Sequence, residues 1–377
     1  MSPLHHSSDD AKDSILFRMR TLVIGSSLLF IGWLGYYMGS NFFDTPINTL
    51  RFKDKVVFIT GGTSGIGLAV AAQFALEGAE QVIVCGRRES KWIEAQKYLE
   101  EKLSPEQKKC IQYWPCDVRV ESQVKNTIDQ IFTTFGRLDI CFNNAGVQPG
   151  VVTGADSGFI TGMFFESSIA QDGSIMYRIP PPQPQSGPEF EHARRETTQT
   201  TPASPFCESE IATSCMGMFY CLKWEVHYIF ERQPKDLPVS IINTSSRNGV
   251  LPDSHRPLYA ASKAFILGLT RSVSNQVAQK SIQEKRGMVR VNAISPGPID
   301  TPLEFGAYGV APHNPEQYAT YVKAAAVGVP MKRTGKPEEI APTVLFLADP
   351  GTSSYITGAN ICVDGGHTGS PLLCSCE

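Results

Sequence analysis

The chain has 377 residues, enough for one large α/β domain or two smaller ones, so length alone leaves the domain count open. Its 34 basic and 37 acidic side chains give a formal charge of −3, which excludes the strongly basic surface of a nucleic-acid-binding protein. A small-molecule or lipid substrate fits this composition better.

An apolar run without a charged residue covers residues 21–43, after a polar tail of residues 1–20. At about 1.5 Å per residue, a helix over this run would be roughly 35 Å long, enough to cross a hydrocarbon core of about 30 Å. Trp33, Tyr36 and Tyr37 near its far end suit a membrane interface. We therefore expect a single-pass membrane anchor, in the endoplasmic reticulum or another endomembrane. A cleaved signal peptide is the main alternative, and a buried helix of a soluble protein is another.

From residue 53 onward, strand-like and helix-like segments alternate. Strands separated by helical stretches of about 10–15 residues predict right-handed crossovers. The fold class expected is therefore a doubly wound, Rossmann-type α/β fold, with a mostly parallel sheet covered by helices on both faces. The predicted strands are 56–60, 81–85, 112–118, 138–144, 239–245, 289–295 and 359–364. The predicted helices begin near Ile66 and Tyr259 or occupy about 90–103, 120–135 and 337–348.

The segment from about residue 150 to residue 205 interrupts this alternation. It is dominated by Gly, Ser, Thr, Gln and Pro and includes PPPQPQSGP at 180–188. Such a composition buries too little apolar surface to offset the entropy of ordering. We expect a mostly disordered insertion within one domain, rather than a second domain.

The cysteines give no indication of a metal site or a disulfide framework. None of the 10 forms a Cys-x-x-Cys pair, and several, such as Cys85, Cys141 and Cys362, lie in apolar runs where a thiol acts as a small apolar group. We expect reduced thiols and no bound metal. Cys374 begins Cys-Ser-Cys-Glu, which lacks the aliphatic middle of a prenylation motif, so residues 368–377 are expected to be a plain tail.

A glycine-rich turn, TGGTSGIG at 60–67, joins the first predicted strand to the first helix. Glycines let the backbone approach a pyrophosphate, and the helix N-terminus offers unpaired N–H groups and a favourable dipole. Such a turn can also be only a tight connection. Because the strand before it and the helix after it are both recognisable, it predicts a dinucleotide site.

The second strand ends at Cys85-Gly86-Arg87-Arg88, where an NAD site usually offers a carboxylate to the ribose hydroxyls. The guanidinium of Arg87 would instead pair with a 2′-phosphate. This predicts NADP(H) as the cofactor, with NAD(H) as the alternative if both arginines are simply solvated.

Tyr259 and Lys263 stand four residues apart on a predicted helix and therefore share one face. A phenol has an ordinary pKa of about 10, so proton exchange near neutral pH needs a pKa lower by roughly 2–3 units. A neighbouring ammonium and a positive nicotinamide would lower it. Ser246 lies just past a strand end, where its hydroxyl would hold a substrate carbonyl. A Tyr-x-x-x-Lys pair alone is common on helix surfaces. Here it follows a glycine turn and a serine at a strand end, and this order is what indicates a catalytic pair.

With these features in place, residues 53–367, apart from the insertion, closely resemble the short-chain dehydrogenase/reductase family. The motifs that carry the resemblance occur in the family's order. They are TGGTSGIG at 60–67, CDV at 116–118, NNAG at 143–146, SS at 245–246, YAASK at 259–263 and SPGPIDT at 295–301.

The resemblance implies a role for each matching residue. Tyr259 would be the general acid/base, Lys263 would hold the nicotinamide ribose and lower the pKa of Tyr259, and Ser246 rather than Ser245 would be the catalytic serine. Asp117 and Val118 would hold the adenine. With the glycine turn and Arg87, the expected cofactor-binding residues are Gly61, Thr63, Ser64, Gly65, Ile66, Gly67, Arg87, Asp117, Val118, Asn144, Ala145, Gly146, Tyr259, Lys263, Pro296, Gly297, Ile299 and Thr301. The family also implies a homo-oligomer, a dimer or a tetramer.

Two features depart from the family's pattern. Ser214 stands where the family has a helix-borne Asn that orders a proton-relay water, and a hydroxyl cannot present the paired donor and acceptor of an amide. The insertion enters beside the substrate side of the site. Because the other residues of the catalytic set are present, Ser214 is still expected to act with them.

We therefore expect a membrane-anchored, NADP(H)-dependent oxidoreductase that interconverts a ketone or aldehyde and an alcohol, working as a reductase. The family's substrates include 3-oxoacyl thioesters, steroid or retinoid ketones and simple sugars, and a lipophilic substrate follows from the anchor alone. The alternative is an NADP-binding membrane scaffold or sensor whose catalysis has lapsed, which Ser214 and the insertion motivate.

Overall fold

The fold is built on a parallel sheet of seven strands. The computed structural model describes residues 50–147, 166–169, 175–178, 205–253, 256–307 and 314–369. In chain order, the strands are β1 (Val56–Thr60), β2 (Gln81–Gly86), β3 (Ile111–Pro115), β4 (Ile140–Asn143), β5 (Glu166–Ile169), β6 (Ile175–Arg178), β7 (Val239–Thr244), β8 (Val289–Pro296) and β9 (Asn360–Val363). The sheet has the order β3-β2-β1-β4-β7-β8-β9, and each neighbouring pair is parallel.

Helices cover both faces of the sheet. In chain order, they are α1 (Gly65–Leu76), α2 (Glu89–Lys102), α3 (Pro105–Lys108), α4 (Glu121–Phe135), α5 (Pro205–Glu210), α6 (Met218–Arg232), α7 (Pro257–Gln283), α8 (Pro302–Ala307), α9 (Pro315–Ala325), α10 (Pro337–Ala348) and α11 (Pro350–Ser353). A π-helix, Ile211–Gly217, lies between α5 and α6, and 3-10 turns occur at Arg247–Gly249 and His367–Gly369.

The central strands are buried along their whole length, because both faces of the sheet are covered. All the residues of β1, β7 and β8 are buried, which explains their continuous apolar runs. Successive side chains of β1 point to opposite faces of the sheet. Val57 and Ile59 pack with α1, α2 and α10 on one face. Val56 and Phe58 pack with α4, α6 and α7 on the other face.

The strand order places a crevice at the carboxyl ends of β1 and β4. From β1 the chain proceeds to β2 and β3 on one side, and β4 returns to the other side of β1. At such a reversal the connections leave in opposite directions, and the space between them is where open α/β sheets bind ligands. The glycine turn and the NNAG motif both lie there.

The predicted sheet strands and the Rossmann-type arrangement are confirmed. Four strands are shorter than predicted, including β7 (Val239–Thr244) and β9 (Asn360–Val363) by one and two residues. The strand predicted at 112–118 ends at Pro115, because its neighbour β2 ends at the paired Gly86. The strand predicted at 138–144 covers Ile140–Asn143. Helix α7 begins at Pro257, two residues before the tyrosine predicted to start it, since proline is favoured in the first helical turn.

The predicted localisation, a single-pass membrane protein of the endoplasmic reticulum or another endomembrane, is wrong. Among the residues that the structure describes, none of the helices has both the length and the apolar composition needed for a membrane span. The run 21–43, on which the prediction of an anchor rested, lies outside the described residues.

The segment 150–205 contains structure that its composition did not indicate. Strands β5 and β6 pair antiparallel within it, with Glu166 opposite Arg178 and Ile169 opposite Ile175. The other residues from 150 to 204 lie outside the described residues, so the disorder expected for them stays a prediction. Residues 370–377 of the predicted tail also lie outside.

Seven of the cysteines in the described part of the chain are free thiols: Cys85, Cys110, Cys116, Cys141, Cys215, Cys221 and Cys362. Cys85 and Cys141 are buried in central strands, as their apolar surroundings indicated. Cys362 is exposed instead, because β9 is the edge strand of the sheet and is only partly covered.

Candidate active site

The turn between β1 and α1 requires glycine at several positions. Gly61 and Gly65 have φ angles of +66° and +53°, in the left-handed region that favours glycine. A Cβ on Gly67 would lie 2.4 Å from the carbonyl oxygen of Gly61. Ser64 does not cap α1 with its side chain, and the first turn of α1 has no acidic residue. The first N–H groups of α1 therefore remain available to an anionic ligand.

Asn144 ties the glycine turn to the end of β4. Its Nδ2 donates to the carbonyl oxygens of Thr60 and Gly61, both at 3.3 Å. The hydroxyl of Thr60 accepts hydrogen bonds from the N–H groups of Asn144 and Ala145, both at 3.0 Å. The protein itself therefore fixes the shape of the turn.

A groove of about 520 Å³ extends from this turn along the carboxyl ends of β2 and β4. The predicted cofactor residues that line it are Gly61, Thr63, Ser64, Gly65, Ile66, Arg87, Val118, Asn144, Ala145, Gly146 and Thr301. Its size and its place above a helix N-terminus suit an extended dinucleotide. Thr213, from the π-helix, also lines the groove and was not predicted.

Three cationic side chains line the groove beyond the end of β2. Arg87 and Arg88 are exposed, and Lys91, which sequence reasoning missed, follows in the first turn of α2. The described residues that line the groove include no carboxylate, although Lys91 forms an ion pair at 2.5 Å with Glu94 outside it. This rim is suited to a phosphate rather than to a ribose hydroxyl.

Two predicted cofactor residues, Gly67 and Asp117, line neither this groove nor the smaller cavity described below. Gly67 packs beneath the turn. The carboxylate of Asp117 receives hydrogen bonds from the guanidinium of Arg119, at 2.6 to 3.0 Å. Burial acts to raise the pKa of Asp117, but the bonds from Arg119 outweigh it and hold the pKa below its ordinary value. Arg119 would therefore compete with adenine for this carboxylate, and the adenine role of Asp117 stays a prediction.

Three of the four residues predicted to be catalytic line a smaller cavity of about 90 Å³. Its lining brings Ser246, Tyr259 and Lys263 together with the cofactor residues Ile66, Asn144, Gly146, Pro296, Gly297, Ile299 and Thr301. Lys263 Nζ is 5.4 Å from the ring centre of Tyr259 and donates to the carbonyl oxygen of Thr244 at 3.4 Å. Strand ends supply the serine and the cofactor residues, and α7 supplies the tyrosine and the lysine.

The pKa of Tyr259 differs from the sequence expectation. Burial, together with the carboxylate of Glu304, raises it above the ordinary value, while the smaller effects of the hydrogen bond with Ser246 and of Arg256 lower it. The sequence could not show that the ring is only 7% exposed. A raised pKa keeps the phenol protonated, which is the state required of a proton donor.

Ser214 lies outside both cavities. It is buried within the π-helix, and its hydroxyl has no hydrogen-bond partner by geometric criteria among the described residues. Four residues earlier, at the end of α5, the buried carboxylate of Glu210 accepts a hydrogen bond from Ser262 at 2.6 Å. Sequence reasoning missed Glu210, although an acidic residue one helical turn before Ser214 was a visible signal.

The substrate side of the small cavity is polar. Arg247, Asn248, Arg256 and Glu304 line it beside Leu303. Asn248 donates to Asp253 at 2.7 Å, and Arg256 pairs with the same carboxylate at 3.0 Å. Arg247 lies 3.1 Å from a ring nitrogen of His367. None of these residues was predicted, because their roles depend on packing between distant segments.

Comparisons with known proteins agree with this geometry. Residues 55–161 match the family described as short chain dehydrogenase, and residues 195–368 match the family described as Enoyl-(Acyl carrier protein) reductase. An uncharacterized short-chain type dehydrogenase/reductase of Acanthamoeba polyphaga mimivirus is 41% identical over 345 residues, covering 86% of this chain and 100% of that protein. A chloroplastic NADPH-dependent aldehyde reductase of Arabidopsis thaliana is 31% identical over 323 residues, covering 85% of this chain and 88% of that protein.

Solved structures show the same fold. Aldohexose dehydrogenase of Thermoplasma acidophilum, in its ligand-free form, is 26% identical with a TM-score of 0.59 and covers 87% of this chain and 100% of its own. An actinorhodin polyketide ketoreductase with NADPH, at 24% identity and a TM-score of 0.60, supports the fold alone; the match covers 84% of this chain and 98% of that chain. The chain therefore belongs to the short-chain dehydrogenase/reductase family and is an NAD(P)-dependent oxidoreductase acting on CH–OH groups.

Proposed function

We propose that this protein is an NADP(H)-dependent carbonyl reductase that uses Tyr259 as its general acid. The observation that carries the proposal is a single cavity in which the buried phenol meets Ser246, Lys263 and the residues beside the glycine turn. Tyr259 is protonated below its raised pKa, so it holds the proton that a carbonyl oxygen would receive in the reduction.

The proposed reaction divides between the cofactor and the protein. NADPH, when bound, supplies the hydride for the carbonyl carbon. The hydroxyl of Ser246 holds the carbonyl oxygen, and Tyr259 Oη gives that oxygen its proton, which yields the alcohol. Lys263 holds the ribose hydroxyls beside the glycine turn. The reverse sequence oxidises an alcohol.

NADP(H) is proposed rather than NAD(H) because of the groove rim. Arg87, Arg88 and Lys91 offer positive charge where a 2′-phosphate would lie, and the groove lining has no carboxylate for a ribose 2′-hydroxyl. The Arabidopsis relative is named as NADPH-dependent, which agrees with this assignment.

We propose a polar substrate, such as a hydroxylated aldehyde or an aldose, instead of a lipophilic one. Arg247, Asn248, Arg256 and Glu304 give the cavity a polar and charged wall, and a steroid or retinoid would displace water from this wall without offering hydrogen bonds in return, which would weaken binding. One relative is named as an aldehyde reductase and one similar structure as an aldohexose dehydrogenase, and these names agree with an aldehyde or aldose substrate.

The test is NADPH oxidation by the purified protein with a panel of aldoses, short aldehydes and apolar ketones. Tyr259→Phe keeps the ring but removes the proton, so turnover should fall about 100-fold or more while NADPH still binds. Tyr355→Phe is the matched control, because Tyr355 is fully exposed. Tight NADPH binding without turnover on any substrate would support a lapsed sensor instead.

A further inference from the structure

A buried carboxylate beside the catalytic lysine is unused by the reaction proposed above. Glu210 is 0% exposed, at the junction of α5 and the π-helix. Its Oε1 accepts the hydrogen bond from Ser262, while Oε2 has no hydrogen-bond partner by geometric criteria among the described residues. Burying a carboxylate without a compensating charge is costly, so a cation should lie nearby.

Lys263 is that cation. It follows Ser262 directly in α7 and is 4% exposed. Its ammonium has three donors, yet the one hydrogen bond resolved for it in the described structure is the 3.4 Å contact with the carbonyl oxygen of Thr244. The charges of Glu210 and Lys263 each favour the ionised form of the other.

We propose that Glu210 is a positioning residue that keeps Lys263 charged and oriented toward the cofactor ribose. Ser214, which stands where the family motif has an Asn, lies one helical turn after this carboxylate. The π-helix supports this assignment, because its wide turn is a distortion that occurs frequently at functional sites. The inference rests on the proposed function, since it assumes that Lys263 holds the cofactor.

The charges around the pair determine the expected pH dependence. Burial lowers the pKa of Lys263, and Glu210, with a smaller effect of Cys215, raises it. Glu210 itself faces Ser262, Lys263 and Ser214, and the phenol of Tyr259 lies on the same cavity wall as Lys263. Glu210 is the main effect that opposes burial at Lys263. Removing its charge should therefore lower the pKa of Lys263, so that Lys263 loses its proton at a lower pH.

The experiment measures NADPH affinity by the fluorescence of the bound cofactor from about pH 6 to pH 10. We expect Glu210→Gln to lose affinity on the alkaline side at a pH lower by about one unit or more than the wild-type protein. Glu210→Asp keeps the charge and should restore most of the wild-type profile. Glu208→Gln, an exposed position on the same short helix, should reproduce the wild-type curve.

The variant Lys263→Met distinguishes a failure of the proposed cofactor role of Lys263 from a failure of the proposed role of Glu210. If this variant binds NADPH as tightly as the wild-type protein, the cofactor role of Lys263 in the proposed function is wrong. If it binds weakly but Glu210→Gln follows the wild-type profile, only the role of Glu210 is wrong. Should Glu210→Gln not fold, Ser262→Ala removes the donor that orients Glu210 and should shift the profile less, in the same direction. A profile that overlays the wild type would overturn the inference.

Discussion

Replacing Glu225 with Gln should make the protein more resistant to alkaline pH. Glu225 lies on α6 with 0% exposure, and its Oε2 accepts a hydrogen bond from Asn143 at 2.9 Å. Burial raises its pKa from 4.5 to about 7, although the bond from Asn143 opposes this shift. The fold therefore favours the neutral acid, and ionisation destabilises it.

The sign and size of the effect follow from the two pKa values. The contribution of Glu225 is fully present below about pH 4.5 and is lost as the pH rises through about 7. At about 1.4 kcal/mol per pKa unit, the loss amounts to about 3 kcal/mol of the free energy of unfolding. Glutamine cannot ionise, so the stability of Glu225→Gln relative to the wild-type protein should rise by this amount across the same window.

Urea unfolding at a series of pH values measures this difference. An unsatisfied amide in the Glu225→Gln variant would add a constant offset, so the change with pH is the informative quantity. Glu101→Gln, on the exposed side of α2, is the control and should show no comparable rise. A difference between Glu225→Gln and wild type that stays constant from about pH 5 to pH 8 would refute the claim that burial controls this acid.

Three further predictions follow from the surface of the domain. Arg87→Ala should weaken NADPH binding by about 1.5–3 kcal/mol and leave NADH binding unchanged in titrations, and an unchanged preference would remove the 2′-phosphate assignment. Phe219→Asp, at a 40% exposed position on α6, should lower the oligomeric state of the expected dimer or tetramer in sedimentation, since Phe219 and the similarly exposed Phe265 on α7 are large apolar side chains that a subunit interface would cover. A wild-type protein that sediments as a monomer would contradict it. Limited proteolysis should cut first within 150–205, as its composition indicates, and cleavage elsewhere first would argue against disorder there.

Local sequence patterns were sufficient for the sheet and the cofactor turn. β1, β7 and β8 are continuous apolar runs because both sides of the sheet are covered, and Gly61 through Gly67 stand where a strand meets a helix. Each of these signals lies within a dozen residues. The roles of Glu210 and Arg247 depend instead on segments that meet only in the folded chain, such as Ser262 and His367.

The electrostatics of the site were the least predictable from sequence. The ammonium of Lys263 and a positive nicotinamide led to the expectation of a lowered pKa for Tyr259, whereas the protein by itself raises this pKa through burial of the ring and the carboxylate of Glu304. The spacing of two residues on a helix shows whether they lie on the same face, but it does not show whether that face is buried. The hydropathy of residues 21–43, likewise, gave a span length and led to a localisation that the described helices do not support.

The hydrogen bonds of Asn144 to Thr60 and Gly61 imply that recognition and selectivity reside in different parts of the groove. A turn that the protein has already ordered loses little conformational freedom on binding, so it favours any dinucleotide equally. Arg87 and Arg88 are exposed, and dissolved ions screen exposed charges. The discrimination between the two nicotinamide dinucleotides should therefore decline at high ionic strength, while the affinity they share persists.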